Sequence, residues 1–172
     1  MTQTTMHAIS APIYLRYLTS AVHILGKAAE DAKARKIAES TLLRDRLYPD
    51  MLPCYLQFFI AGDHAKGSIA RLAGLEAPKF ADGEPESFAV IQDRLTQVKA
   101  FIESVSADAV NGTEEKEIAI TIPGSTLHMK GLPYLTGYAM PNFMFHMTTG
   151  YGILRKNGVP LGKGDFLRGG QG

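Results

Sequence analysis

Apolar residues recur at helical spacing in four long segments of the chain. The clearest example lies in the third segment, where apolar side chains return at every third or fourth position: Phe88, Ile91, Leu95, Val98 and Ile102. This spacing places them on one face of an α-helix. The same reasoning predicts four helices, over residues 5–36, 53–73, 85–105 and 132–157.

The second and the last predicted helices are apolar around most of their circumference, so we expect both to be buried on more than one side. Pro12 lies within or just before the first predicted helix and should bend it if the helix begins near Thr5. Pro141 lies inside the last predicted helix, and we expect it to kink that helix. Residues 40–53 connect the first two helices and are rich in polar side chains, which suits a short helix or a loop.

The segment 116–130 has a different period. Ile118, Ile120 and Ile122 alternate with other residues, a Pro-Gly-Ser turn follows, and the alternation resumes in the second half. Period two around such a turn predicts a β-hairpin. The Gly-rich residues 159–172 are expected to form an extended tail. Together these patterns predict a mainly α-helical fold, in which residues 1–172 form one four-helix-bundle domain with the hairpin between the third and fourth helices.

Composition narrows the function classes. The 172 residues are 45% hydrophobic and 20% charged, and the formal net charge is +1. Neither nucleic acid nor an anionic membrane is favoured as a partner by this charge, and no apolar run reaches the roughly 20 residues that span a bilayer. A single cysteine and the lack of a recognisable secretion signal predict a cytoplasmic protein.

A polar stripe crosses the otherwise apolar last helix. Asn142, His146 and Thr149 share one helical face, with the small residues Ala139 and Gly150 beside the imidazole. Burying such groups without partners costs roughly 1–3 kcal/mol each. They therefore indicate either the wall of a ligand pocket or a set of structural hydrogen bonds between helices.

A second histidine occupies the middle of the second helix. His64 has large apolar residues around it and the small Gly67 and Ser68 on its side. Asp63 points about a quarter-turn away, where it suits a hydrogen bond to the last helix or to the connector, and its role is open between functional and structural. Lys66 lies nearly opposite His64 and is expected to be solvated.

The other metal-ligating residue types are weaker candidates. His23 is expected to be exposed, and His128 to face away from its hairpin neighbours, whereas His7 shares the buried stripe of the first helix if that helix begins early. Cys54 lies about 15 Å along the helix from His64, so a buried structural role suits it better. Two imidazoles do not complete a catalytic zinc site, which normally has three protein ligands.

Several motifs resemble a bacterial domain family of unknown function within the DinB/YfiT-like superfamily. They are Met51-Leu52-Pro53, Asp63-His64-Ala65-Lys66-Gly67, Pro141-Asn142-Phe143 with Phe145-His146, Ile153 to Lys163, and Asp165-Phe166-Leu167. The resemblance covers almost the whole chain. It implies a four-helix bundle that is often a homodimer and that holds a divalent metal through one histidine of the second helix and two of the last.

His64 and His146 match two of those three ligand positions. The third position falls at Thr149 or Gly150, neither of which supplies an imidazole. The sequence thus predicts a small-molecule pocket around His64, Asn142, His146 and Thr149. Two alternatives stay open: a metal-dependent enzyme of hydrolase or thiol-dependent transferase type, with zinc or nickel held weakly by the two histidines, and a dimeric structural or interaction protein without catalysis.

Overall fold

A computed structural model describes residues 4–81 and 83–169 of the chain. The four longest helices are α1 (Ala11–Arg35), α3 (Cys54–Ala73), α4 (Phe88–Ser104) and α7 (Met140–Lys156). The shorter helices are α2 (Glu39–Arg44), α5 (Ala107–Val110), α6 (Gly131–Tyr134) and α8 (Lys163–Arg168). The mainly helical fold predicted from the sequence is confirmed.

The four long helices pack in two extensively contacting pairs. α3 packs along α7, α1 packs along α4, and α3 also contacts α4. α3 carries buried residues on most of its faces, as its sequence predicts: Cys54, Gln57, Phe58, Phe59, Ala61, Gly62, Ala65, Gly67, Ser68, Ile69, Ala70 and Leu72. The α3–α7 seam therefore lies in the interior of the bundle.

The prediction that Pro12 bends α1 is wrong, and the bend at Pro141 stays a prediction. α1 begins at Ala11, so Pro12 lies in its first turn, where its missing N–H is not needed. Ahead of Pro141 the backbone forms a π-helical turn, Leu135–Ala139, in which the Met140 N–H donates to the Leu135 carbonyl. Such a turn accommodates a proline without ending the helix.

The hairpin consists of strands β1 (Glu117–Ile122) and β2 (Ser125–Lys130), paired antiparallel. Ile118 and Ile120 are buried, so this face of β1 lies against the helices. Gly131 begins α6 directly after the hairpin, where the chain passes the backbone of Thr113; a Cβ at Gly131 would overlap the Thr113 carbonyl oxygen. The absence of a side chain at Gly131 thus permits the close approach that seats the hairpin.

The prediction of an extended C-terminal tail is wrong for residues 163–168, which form α8 and pack on α1. Asp165 holds α8 in place: its carboxylate lies 2.8 Å from His23 Nε2 and 3.0 Å from Lys27 Nζ, and it accepts the Gly162 N–H at 2.7 Å. Burial alone would raise the pKa of Asp165, but these three partners outweigh it and lower the pKa to about 2. The rest of the predicted tail, residues 170–172, lies outside the described residues.

Within residues 4–81 and 83–169, none of the helices is both long enough and apolar enough to cross a lipid bilayer.

Candidate functional site

The two histidines singled out by the sequence meet across the α3–α7 seam. The ring centroids of His64 and His146 are 6.0 Å apart, and their planes are within 17° of parallel. The ring of Tyr138 lies edge-on to His64, with centroids 5.8 Å apart. Residues 82 positions apart in the chain therefore form one aromatic cluster.

Gln57 orients the ring of His146. The buried Gln57 amide donates from Nε2 to the Leu52 carbonyl at 2.8 Å, which turns its Oε1 toward His146 Nδ1, also at 2.8 Å. Because Oε1 accepts only, the proton of a neutral His146 must lie on Nδ1. The lone pair of a neutral His146 is consequently on Nε2.

Both imidazoles are uncharged near neutral pH. Burial, followed by the proximity of His146 and the charge of Arg71, lowers the pKa of His64 to about 4, although Asp63 opposes the shift. Burial also lowers the pKa of His146. A neutral imidazole accepts a hydrogen bond at one nitrogen and donates from the other, so His64 can do both for a bound molecule.

A pocket of about 230 Å³ opens beside His64, between α3, the hairpin and the start of the last helix. Its walls mix apolar, aromatic and charged residues: Ile60, Asp63, His64, Arg71, Ile120, Thr121, Tyr134 and Tyr138. Within the described residues no hydrogen bond restrains the His64 ring, while Arg71 Nη1 donates to the Tyr134 hydroxyl at 3.3 Å. Small pockets with a few convergent polar groups are where proteins bind small ligands.

Asp63, whose role the sequence left open, is bound by two cations. Arg94 Nη2 from α4 lies 3.1 Å from each carboxylate oxygen, and Lys66 Nζ lies 3.1 Å from Oδ1. The expectation that Lys66 is solvated is wrong, because only 12% of its side chain is exposed and its ammonium lies over the Phe80 ring. These bonds join Asp63 of α3 to α4. They do not reach the last helix or the connector between the first two predicted helices, where the sequence suggested a hydrogen bond.

Two predicted site residues are directed elsewhere. Asn142 Nδ2 donates to the Tyr138 carbonyl at 2.7 Å, and the Thr149 hydroxyl donates to the Phe145 carbonyl at 2.8 Å. In each case the side chain donates to a backbone carbonyl one turn earlier in its own helix. Neither residue borders the pocket beside His64. Although both lie on the same helical face as His146, this does not bring their side chains to the pocket.

The remaining histidines lie away from this pocket. His128 is exposed on β2, as expected. His23 is partly buried against Asp165, not exposed as the sequence suggested. His7 precedes α1 in a turn, where its backbone N–H donates to the Asn111 side chain at 3.0 Å.

Gln57 and Arg71 were missed by the sequence analysis, although a signal was present. They stand seven residues before and seven residues after His64, which places all three on the same side of α3, two turns apart. Tyr134 and Tyr138 were not singled out by the sequence analysis. They border the pocket because the π-helical turn and α6 carry them over α3.

A three-histidine metal site does not fit this chain. Among residues 4–81 and 83–169, no group of three or more His, Cys, Asp or Glu side chains is placed to hold a metal ion. A Cβ at Gly150 would lie 2.9 Å from two ring atoms of Phe58. The Phe58 ring thus fills the space that a longer side chain at position 150 would need.

Comparison with known proteins gives the family. The DinB-like helical-bundle fold predicted from the sequence is confirmed. Residues 6–167 match the family described as a domain of unknown function, DUF1993, and the chain belongs to that family. It is similar to the crystal structure of a DinB family member protein from Shewanella denitrificans, with 32% identity, a TM-score of 0.83, and coverage of 94% of this chain and 90% of that one. No curated protein matches the chain. The homodimer implied by the resemblance stays a prediction.

Proposed function

We propose that this protein binds a small molecule in the pocket beside His64. The observation that carries the proposal is an uncharged imidazole, unrestrained by the described part of the protein, at the wall of a cavity. His64 accepts or donates a hydrogen bond there, Tyr138 and the two isoleucines of the wall contact the ligand body, and His146 supports His64 from behind.

Compared with the sequence-based prediction, the ligand-contacting set changes. His64 is retained, Asn142 and Thr149 are replaced by Tyr134 and Tyr138, and His146 becomes a positioning residue held by Gln57. The cavity is smaller than most drug-sized sites, which measure about 300–1,000 Å³. A compact ligand is therefore expected.

Fragment screening by NMR on protein with ¹⁵N-labelled histidine tests the proposal. Fragments that bind in this pocket should shift the ring signals of His64 and should bind more weakly to His64→Gln. His128→Gln removes an exposed histidine and is the matched control. A screen in which no fragment perturbs the His64 signals would contradict the proposal.

The same protein tests the metal-dependent alternative. Adding zinc or nickel to chelator-treated protein should leave the melting temperature unchanged, because the chain supplies too few ligands for tight binding. Stabilisation of the wild type that is lost in both His64→Gln and His146→Gln would favour a metal centre over the proposed pocket.

A further inference from the structure

The side chain of Arg71 folds back along its own helix. A Cβ at Gly67, one turn earlier, would lie 2.7 Å from Arg71 Nη1. The guanidinium therefore lies across the surface that the glycine leaves bare, on the side of α3 that carries His64. The Tyr134 hydroxyl, which accepts a hydrogen bond from Nη1 at 3.3 Å, holds it there.

Within residues 4–81 and 83–169, the guanidinium of Arg71 has no acidic partner, since none of the ion pairs there involves Arg71. Asp63 borders the same pocket, but its carboxylate is already bound by Arg94 and Lys66. This wall of the pocket consequently carries an excess of positive charge, which favours an anionic ligand group.

The rest of the lining is mainly apolar and aromatic. The rings of Tyr134 and Tyr138 have centroids 6.1 Å apart and planes within 24° of parallel, and Ile60, Ile120 and Thr121 also border the pocket. A planar guanidinium binds a carboxylate through two parallel hydrogen bonds. The two features together specify a ligand that has a charged end and a compact apolar body.

We propose that Arg71, held across Gly67, is the anion-binding residue of this pocket, and that the ligand is a small carboxylate with a flat apolar body. This inference rests on the proposed function. It adds the class of ligand and assigns the glycine of the Asp-His-Ala-Lys-Gly motif a role in recognition, because only a residue without a Cβ leaves room for the guanidinium.

Benzoate and its uncharged analogue benzamide test the inference, with binding followed by NMR at the His64 and Tyr138 signals. Benzoate should bind to the wild type at least about tenfold more tightly than benzamide, since a charge-assisted bond is lost with the amide. Arg71→Gln should remove that difference. Arg155→Gln, at an exposed position of α7, should retain it.

Gly67→Ala is the decisive variant, because it keeps the arginine and displaces its guanidinium. The added methyl group meets only the flexible Arg71 side chain, and alanine favours a helix over glycine. The melting temperature should therefore be unchanged or higher, while the preference for benzoate over benzamide disappears. Loss of recognition in a variant at least as stable as the wild type cannot come from unfolding.

The outcomes separate the two proposals. Equal binding of benzoate and benzamide, or a benzoate preference that survives in Arg71→Gln and Gly67→Ala, would overturn the role of Arg71 and leave the pocket standing. Binding of inorganic phosphate but not benzoate would overturn the carboxylate assignment. If neither the acid nor the amide binds at His64, the inference falls, and a fragment screen that also fails there removes the proposed function.

Discussion

Acidification should destabilise the folded protein through His64, and the size of the effect follows from its burial. The imidazole has a pKa near 6.5 in the unfolded chain, whereas burial beside His146 lowers the pKa to about 4 in the folded protein. Between these values the unfolded state binds more protons, so the free energy of unfolding falls as the pH falls. The loss begins as the pH drops below the unfolded pKa and is complete below the folded one.

Linkage between the two pKa values gives a loss of about 2 kcal/mol from His64 between pH 7 and pH 5. At pH 5 a histidine in the unfolded chain is almost fully protonated, while the buried ring is still mostly neutral. A loss of this size is a substantial fraction of the stability of a typical domain, which is about 5–15 kcal/mol.

Urea unfolding at pH 7 and at pH 5, followed by circular dichroism, measures this loss. Titrating groups away from His64 contribute equally to the wild type and to His64→Gln, so the difference between the two proteins isolates His64 together with its interaction with His146. The variant should lose about 2 kcal/mol less than the wild type on acidification. The control His128→Gln should behave as the wild type does. If His64→Gln shows the same pH dependence as the wild type, the burial argument is refuted.

Three further substitutions test other parts of the structure. Gly131→Ala should destabilise the protein by about 1–3 kcal/mol in urea unfolding, because the methyl group overlaps the backbone ahead of β1; Gly137→Ala, with open space around it, is the control. Gln57→Leu should cost about 1–3 kcal/mol by leaving polar partners unpaired, and ¹⁵N NMR should show His146 in mixed tautomers; a single unchanged tautomer would contradict the assignment. Asp165→Asn should speed amide hydrogen exchange in α8 without affecting α3; unchanged exchange would show that other contacts hold α8.

Much of the fold could be predicted from periodicity alone. The third predicted helix, 85–105, differs from α4 by three residues at its start and one at its end, because its apolar stripe is continuous. The hairpin was located within one residue at its start, since alternation around a Pro-Gly turn is a local signal. By contrast, α8 has no buried residue of its own. It is held by the contacts of Asp165 with His23 and Lys27 and by the Phe166 ring, which packs against Tyr17 and Tyr151. No periodicity in residues 159–172 encodes these contacts.

The candidate site was predictable only in part, for a related reason. A helical wheel places His64 and His146 on inward faces, and the two rings do meet. It cannot show that Asn142 satisfies its amide within its own helix, nor that the π-helical turn ahead of Pro141 shifts Tyr134 and Tyr138 over α3. Contacts between distant segments decide these points.

The Phe58 ring beside Gly150 has a consequence for how this family varies. An imidazole at position 150 requires a smaller residue at position 58, because a Cβ alone would already lie 2.9 Å from the phenyl ring. The two positions should therefore change together among homologues, and a single exchange in either direction leaves a clash or a void. Metal binding could be measured in a family member with both changes, or in this chain carrying Gly150→His with Phe58→Ala. The measurement would show whether one substitution or two separate this chain from a metal-binding site.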